Sequence, residues 1–170
     1  LAANGKLWYP PQYHLNGAIF SMAGERFVST YYFYLFCGLF FIATVFLLIR
    51  ELFGSWPAIF SSLLLVVSMR DVTNWVLGLW PERLSFALVP LILYCVYKGE
   101  FKYYMVAAFL VASQFFLHPQ GVIHSFLFTV LFLILSLVFT KEMPFKFKDI
   151  LIPIGLCALL VVPFLGNVTS

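Results

Sequence analysis

The stretch Ser29 to Ile49, STYYFYLFCGLFFIATVFLLI, decides the fold. It holds no charge and no proline, and it matches the roughly 20 helical residues that a hydrocarbon core about 30 Å thick requires. Its Ser and Thr are scattered rather than gathered on a polar face, and Arg50-Glu51 closes it. A helix of this kind has lipid, not water, as its solvent.

Working outward, Phe101 to Leu117 and Val122 to Phe139 read the same way. Three further segments are shorter or carry proline: Trp56 to Met69 is short, Arg83 to Tyr97 contains Pro90, and Ile150 to Leu165 contains Pro153 and Pro163. Membrane helices tolerate proline where neighbouring helices satisfy the freed carbonyl, so these read as kinked or partly buried spans. The expectation is an all-α, polytopic transmembrane helical bundle of about six spans. Residues 1–28 form an external loop with an interfacial amphipathic segment, residues 29–165 the transmembrane module and residues 166–170 an external tail.

Composition agrees. Charged residues make up 10% of the chain and hydrophobic ones 63%, with 21 phenylalanines and a mean hydropathy of +1.00; soluble domains carry about a quarter charged residues. A basic surface for nucleic acid is absent from the sequence. Cys37, Cys95 and Cys157 each lie in an apolar run without metal-ligand or CxxC spacing, so they read as small buried hydrophobes. The chain starts at Leu1 without a signal-peptide pattern and stops just after an apolar segment, which reads as an internal piece of a longer protein.

The connections divide into two chemical kinds. Arg50-Glu51, Lys98 to Lys102 and Thr140 to Asp149 hold six of the ten basic residues. Residues 1–28, Arg70 to Glu82 and the His118-Pro119 turn hold most of the aromatic and proline-rich loop sequence. With six spans the two kinds alternate, and the positive-inside rule puts the Lys-rich set in the cytoplasm. The sequon Asn167-Val168-Thr169 then falls outside, close to a membrane end where such sites commonly go unused.

All three histidines, His14, His118 and His124, collect on the external side with Arg70, Asp71, Glu82 and Arg83. Ionisable groups near spans usually face a cavity or a partner, because charge in hydrocarbon costs about 2.5–3.5 kcal/mol. Three clusters follow. Trp8 to His14, WYPPQYH, is either an aromatic anchor at headgroup level or a rigid loop that sets Tyr9, Tyr13 and His14 over a sugar or lipid phosphate. Met69 to Trp75 and Trp80-Pro81-Glu82-Arg83 bring two arginines suited to holding a phosphate, while Glu82 in a Pro-marked first helical turn is explained by the helix dipole alone. His118 and His124 stand about 240° apart around a helix, so they do not share a face as zinc ligands would; each reads either as a packing residue or as part of an outward-facing site.

In this order, a Tyr9-Pro10-Pro11 loop with His14, a span ending at Arg50, Met69-Arg70-Asp71, Pro81-Glu82-Arg83-Leu84 and His118-Pro119 resemble the membrane module of GT-C glycosyltransferases, of the mannosyltransferase or arabinosyltransferase type. The resemblance covers nearly all of residues 5–165. It implies inverting sugar transfer from a polyprenyl-phosphate-linked donor at the extracytoplasmic face of the plasma membrane. Substrate would be held by Tyr9, Tyr13, His14, Arg70, Arg83, His118 and His124. The family's catalytic carboxylate lies earlier, after a span with no counterpart here, which leaves Asp71 and Glu82 as candidate bases and makes the rest of the parent chain a required partner. A divalent metal serves some relatives, but no ligand set is visible in the sequence. Two other classes fit the residues: a transporter or flippase segment, which favours ionisable residues near mid-span and internal repeats, and a non-catalytic membrane scaffold.

Overall fold

The computed structural model describes residues 2–3, 6–7, 12–22, 24–68, 80–140 and 147–169; at residues 2–3, 6–7, 12–14, 20, 26–27, 80–81, 140, 147 and 163–169 that description stops at the backbone. Seven helices run through these residues: α1 Gln12–Ser21, α2 Arg26–Phe53, α3 Ser55–Val66, α4 Trp80–Lys98, α5 Phe101–Leu117, α6 Pro119–Thr140 and α7 Phe147–Thr169. A two-residue ribbon, β1 Ala2–Ala3 against β2 Lys6–Leu7, precedes them. The protein is an all-α membrane bundle.

Local chemistry sets the breaks. Gly54 takes φ 89°, a conformation that other residues adopt only under strain, and its N–H closes α2 on the Arg50 carbonyl. Pro57 is tolerated because it falls in the first turn of α3. Gly99 at φ 68° separates α4 from α5. Pro119 forces the residue before it out of helical geometry, and His118 is accordingly extended at φ −163°, ψ 120°. Pro119 then opens α6 with its φ already set for a helix.

The helices are unequal. Val28–Phe53 and Pro119–Phe139 are both long and apolar enough to cross a membrane. The 17 residues of α5 rise about 26 Å and the 12 of α3 only about 18 Å. The helix in the stretch Trp56 to Met69 therefore falls short of a full span's length: α3 ends at Val66, and Val67 has already left helical geometry at ψ 10°. The helix α5 coincides with its apolar segment, whereas α4 and α6 outrun theirs, because they begin with the polar turns Pro81-Glu82 and Pro119-Gln120.

Packing centres on α4, which contacts α2, α5 and α6, while α7 packs on α5 and α3 on α2. Phe33, Cys37, Leu84, Leu88, Ile92, Cys95, Ala107 and Leu117 form the core, in which Cys37 and Cys95 are buried free thiols. Thr44 Oγ1 lies 2.9 Å from the carbonyls of both Phe41 and Ala87 and ties α2 to α4 beside Pro90. Proline there denies the Phe86 carbonyl its helical partner, and polar support from a neighbouring helix suits such a place. Outward, Leu39, Phe60, Leu64, Phe126 and Phe139 are exposed, a surface for lipid rather than water.

Contacts between helices give their directions. Tyr34 meets Arg83 and Glu51 meets Lys98, so α2 and α4 run parallel. Tyr94 packs on Tyr103 and Ser85 meets Gln114, which makes α5 antiparallel to α4; Phe86 on His124 and Tyr97 on Phe132 return α6 to the direction of α4. Glu51, Lys98 and Lys102 consequently share one end of the bundle. Arg83, His118 and His124 occupy the other, as the two kinds of connection led one to expect.

Candidate functional site

Of the residues singled out in the sequence, Tyr9, Arg70 and Asp71 lie outside the described residues, and Tyr13 and His14 sit in α1 with only their backbone described. The other four stand at one end of the bundle. Glu82 and Arg83 stand in the first turn of α4, His118 at the α5–α6 junction and His124 in the second turn of α6.

Arg83 is 8% exposed and reaches across to α2. Its Nη1 donates to the Tyr34 hydroxyl, and its Cζ lies 4.9 Å from the centre of the Tyr34 ring. Gly38 makes room: a Cβ there would stand 3.0 Å from Nη2. The expectation was an arginine at a helix start, suited to holding a phosphate; the structure lays its guanidinium against an aromatic face. The gap left by Gly38 in the α2 surface is what admits it.

His118 is partly buried. Burial pushes its imidazole pKa below the ordinary 6.5, and the Glu82 carboxylate partly offsets the fall. Its backbone is held at both ends: its N–H donates to the Gln114 carbonyl at 2.8 Å, and its carbonyl accepts from Ser85 Oγ at 3.0 Å and from Gly121 N–H at 3.0 Å. His124 sits against Phe86, ring centres 4.4 Å apart. Its Nδ1 is 2.7 Å from the Gln120 carbonyl, which can only accept, so Nδ1 carries a proton. His124 thus packs on Phe86 at the site's edge. Among the described residues no three His, Cys, Asp or Glu side chains gather as metal ligands would.

Beneath His118 lies a buried polar chain that apolarity alone does not advertise. Gln114 is fully buried; its Nε2 donates to the Ser85 carbonyl at 2.7 Å, and its Oε1 accepts from Ser125 Oγ at 2.7 Å. These bonds join α4, α5 and α6. Close approach depends on Gly121, where a Cβ would fall 1.9 Å from Ser85 Oγ. The sequence signal was a lone glutamine in an otherwise apolar span; its partners, on two other helices, were not legible.

Ser125 also lines an apolar furrow of about 440 Å³ that runs from Val122 and Ser125 to Val96, Tyr104 and Ile150, with Pro153, Ile154 and Cys157 contributed by α7. A second apolar hollow of about 280 Å³ lies between α1, α2, α4 and α5, bounded by Asn16, Phe33, Leu84 and Ser113. The His118 end and the apolar furrow are thereby three hydrogen bonds apart, through Ser85, Gln114 and Ser125.

The sequence model of the dolichyl-phosphate-mannose-protein mannosyltransferase family matches residues 10–166. The chain belongs to that family. No curated protein and no solved structure matches it. Membership bears out the GT-C resemblance and makes the chain part of a membrane glycosyltransferase whose class of donor is a sugar carried on a polyprenyl phosphate. The family match carries no information on a metal or another cofactor. A donor of this class has a charged head and a long apolar tail, and the site described here offers surfaces of both kinds within one helical group.

Proposed function

We propose that the chain forms the donor-binding part of a mannosyltransferase acting at the extracytoplasmic face of the plasma membrane. The phosphate and sugar sit at the His118 end, and the isoprenoid tail lies in the apolar furrow. One observation carries this reading: a buried hydrogen-bonded chain, Ser85–Gln114–Ser125, links the backbone of His118 to the wall of that furrow.

In the transfer, an acceptor hydroxyl oxygen bonds to the anomeric carbon of mannose as the bond from that carbon to the phosphate oxygen breaks. The hydroxyl proton passes to a carboxylate, and polyprenyl phosphate leaves with added negative charge. Groups that meet this charge stabilise the transition state more than the ground state. Arg83, His118 and Arg70 serve that role, with Tyr9, Tyr13, His14 and His124 along the sugar and headgroup path. Asp71 and Glu82 are the chain's own candidates for the base; the rest of the parent chain supplies it if neither acts. Arg83 contributes from beneath, since Tyr34 already takes part of its donor fork.

That same burial of Arg83 favours a second reading, a scaffold in which Arg83 holds α2 to α4 and has no donor to meet. Binding of polyprenyl-phosphate mannose to purified full-length protein separates the two. Saturable binding that is lost in Arg83→Ala and His118→Ala at matched folding supports the donor site. No saturable binding selects the scaffold, and binding indifferent to both substitutions removes Arg83 and His118 from the donor site.

A further inference from the structure

His118 ends a helix in an extended conformation just before a proline, whose ring keeps its backbone out of the helical region. A second constraint comes from another helix. Ser85 Oγ, on a residue with 0% of its surface exposed, donates to the His118 carbonyl from a different helix. Ser85 is itself pinned, because its own carbonyl accepts from Gln114 Nε2; that carbonyl can only accept, which fixes the amide's orientation and leaves Gln114 Oε1 to accept from Ser125 Oγ. A buried serine in an apolar helix could satisfy its hydroxyl on its own preceding turn, as Ser113 does on Phe109. Ser85 instead spends its only proton on a carbonyl 33 residues away.

We propose that Ser85, fixed by Gln114, is a positioning residue that sets the His118 imidazole against the donor phosphate. The inference rests on the donor-site reading of His118. Ser85 touches no substrate; it acts through the backbone of His118. Small displacements of a group that meets developing charge reduce turnover steeply, since that interaction is strongest only at the correct distance.

The test is a double-mutant cycle in the full-length enzyme with polyprenyl-phosphate mannose, reading kcat, KM and thermal unfolding for Ser85→Ala, His118→Ala and the pair. His118→Ala is expected to lower kcat about 100-fold, and Ser85→Ala about tenfold with KM little changed. In the His118→Ala background, Ser85→Ala is expected to change kcat less than about twofold, because no imidazole is left to misplace. The losses in unfolding temperature should still add, since His118→Ala keeps the carbonyl that Ser85 holds. Turnover that is unaffected by Ser85→Ala, or that falls equally in both backgrounds, overturns the positioning role and leaves the donor site standing. A His118→Ala enzyme with normal kcat removes the donor reading itself. If turnover of that variant is too slow to follow, the same cycle is read in the affinity for polyprenyl phosphate, where additive losses overturn the proposal and coupled losses support it.

Discussion

The two ends of the bundle solve different problems with different chemistry. At the Lys-rich end, Glu51 meets Lys98 at 2.5 Å and Glu100 meets Lys102 at 2.8 Å, both pairs open to solvent. At the other, Ser85, Gln114, Ser125 and Arg83 are all buried, and their bonds connect four helices. Exposed pairs are screened and worth little, whereas a buried polar group left without its partner costs about 1–3 kcal/mol. The first end needs only to keep its charges on one side of a membrane, so loose geometry suffices. The second holds side chains in fixed places, and there each bond matters.

If that contrast is right, the largest loss should follow from the smallest atom added at the buried end. Gly121→Ala places a Cβ 1.9 Å from Ser85 Oγ and 2.9 Å from its Cβ, so turning the hydroxyl aside does not relieve the clash. We expect about 3 kcal/mol of destabilisation, read as a lower unfolding temperature in detergent. A variant as stable as the wild type would mean that α6 does not approach α4 this closely.

Next in size, Gln114→Leu fills the same space but strands Ser125 Oγ and strips the Ser85 carbonyl of its side-chain donor. Destabilisation of about 2 kcal/mol is expected. Leucine tolerated without loss would show the span to be an ordinary apolar one.

A smaller effect should come from pH. His118 has its pKa depressed below 6.5 by burial, so the unfolded chain takes up protons more readily than the folded one. Stability is then full above about pH 6.5 and declines as pH falls from there through the lower folded-state value. His118→Gln should flatten the slope of unfolding temperature between about pH 7 and pH 5, where histidine titrates; an unchanged slope would place the titration elsewhere.

Smallest of all, Glu51→Gln keeps an oxygen acceptor but removes the carboxylate charge, whose hydrogen bond with Lys98 raises the lysine's pKa. We expect no measurable change in unfolding temperature, because the pair is screened by water and salt. A clear loss there would erase the difference between the two ends.

How far the sequence could be read follows from the range of the forces involved. Helix breaks at Gly54, Gly99 and Pro119 were legible because they depend on the backbone of one or two residues. The length of α3 was not: Leu65, Val66 and Val67 continue the apolar run, yet helical geometry stops at Val66. Among the site residues, His118 and Arg83 were picked out by residue type and position. Their settings, a carbonyl clasped by Ser85 and a guanidinium laid on Tyr34, involve partners 33 and 49 residues away.

By itself, then, the sequence determined that the chain is a helical membrane protein, that Glu51, Lys98 and Lys102 share one end, and that Arg83, His118 and His124 stand at the other. Each of these depends on composition or on neighbours along the chain, and transfer from water to hydrocarbon imposes them whatever the packing. Only the tertiary structure decided that Gln114 is the centre of a buried polar chain, that Gly121 lets two helices meet, and that Arg83 is sealed rather than open. Those are matters of which helices become neighbours, and a hydrogen bond of 2.7 Å between residues of different helices exists only once they do.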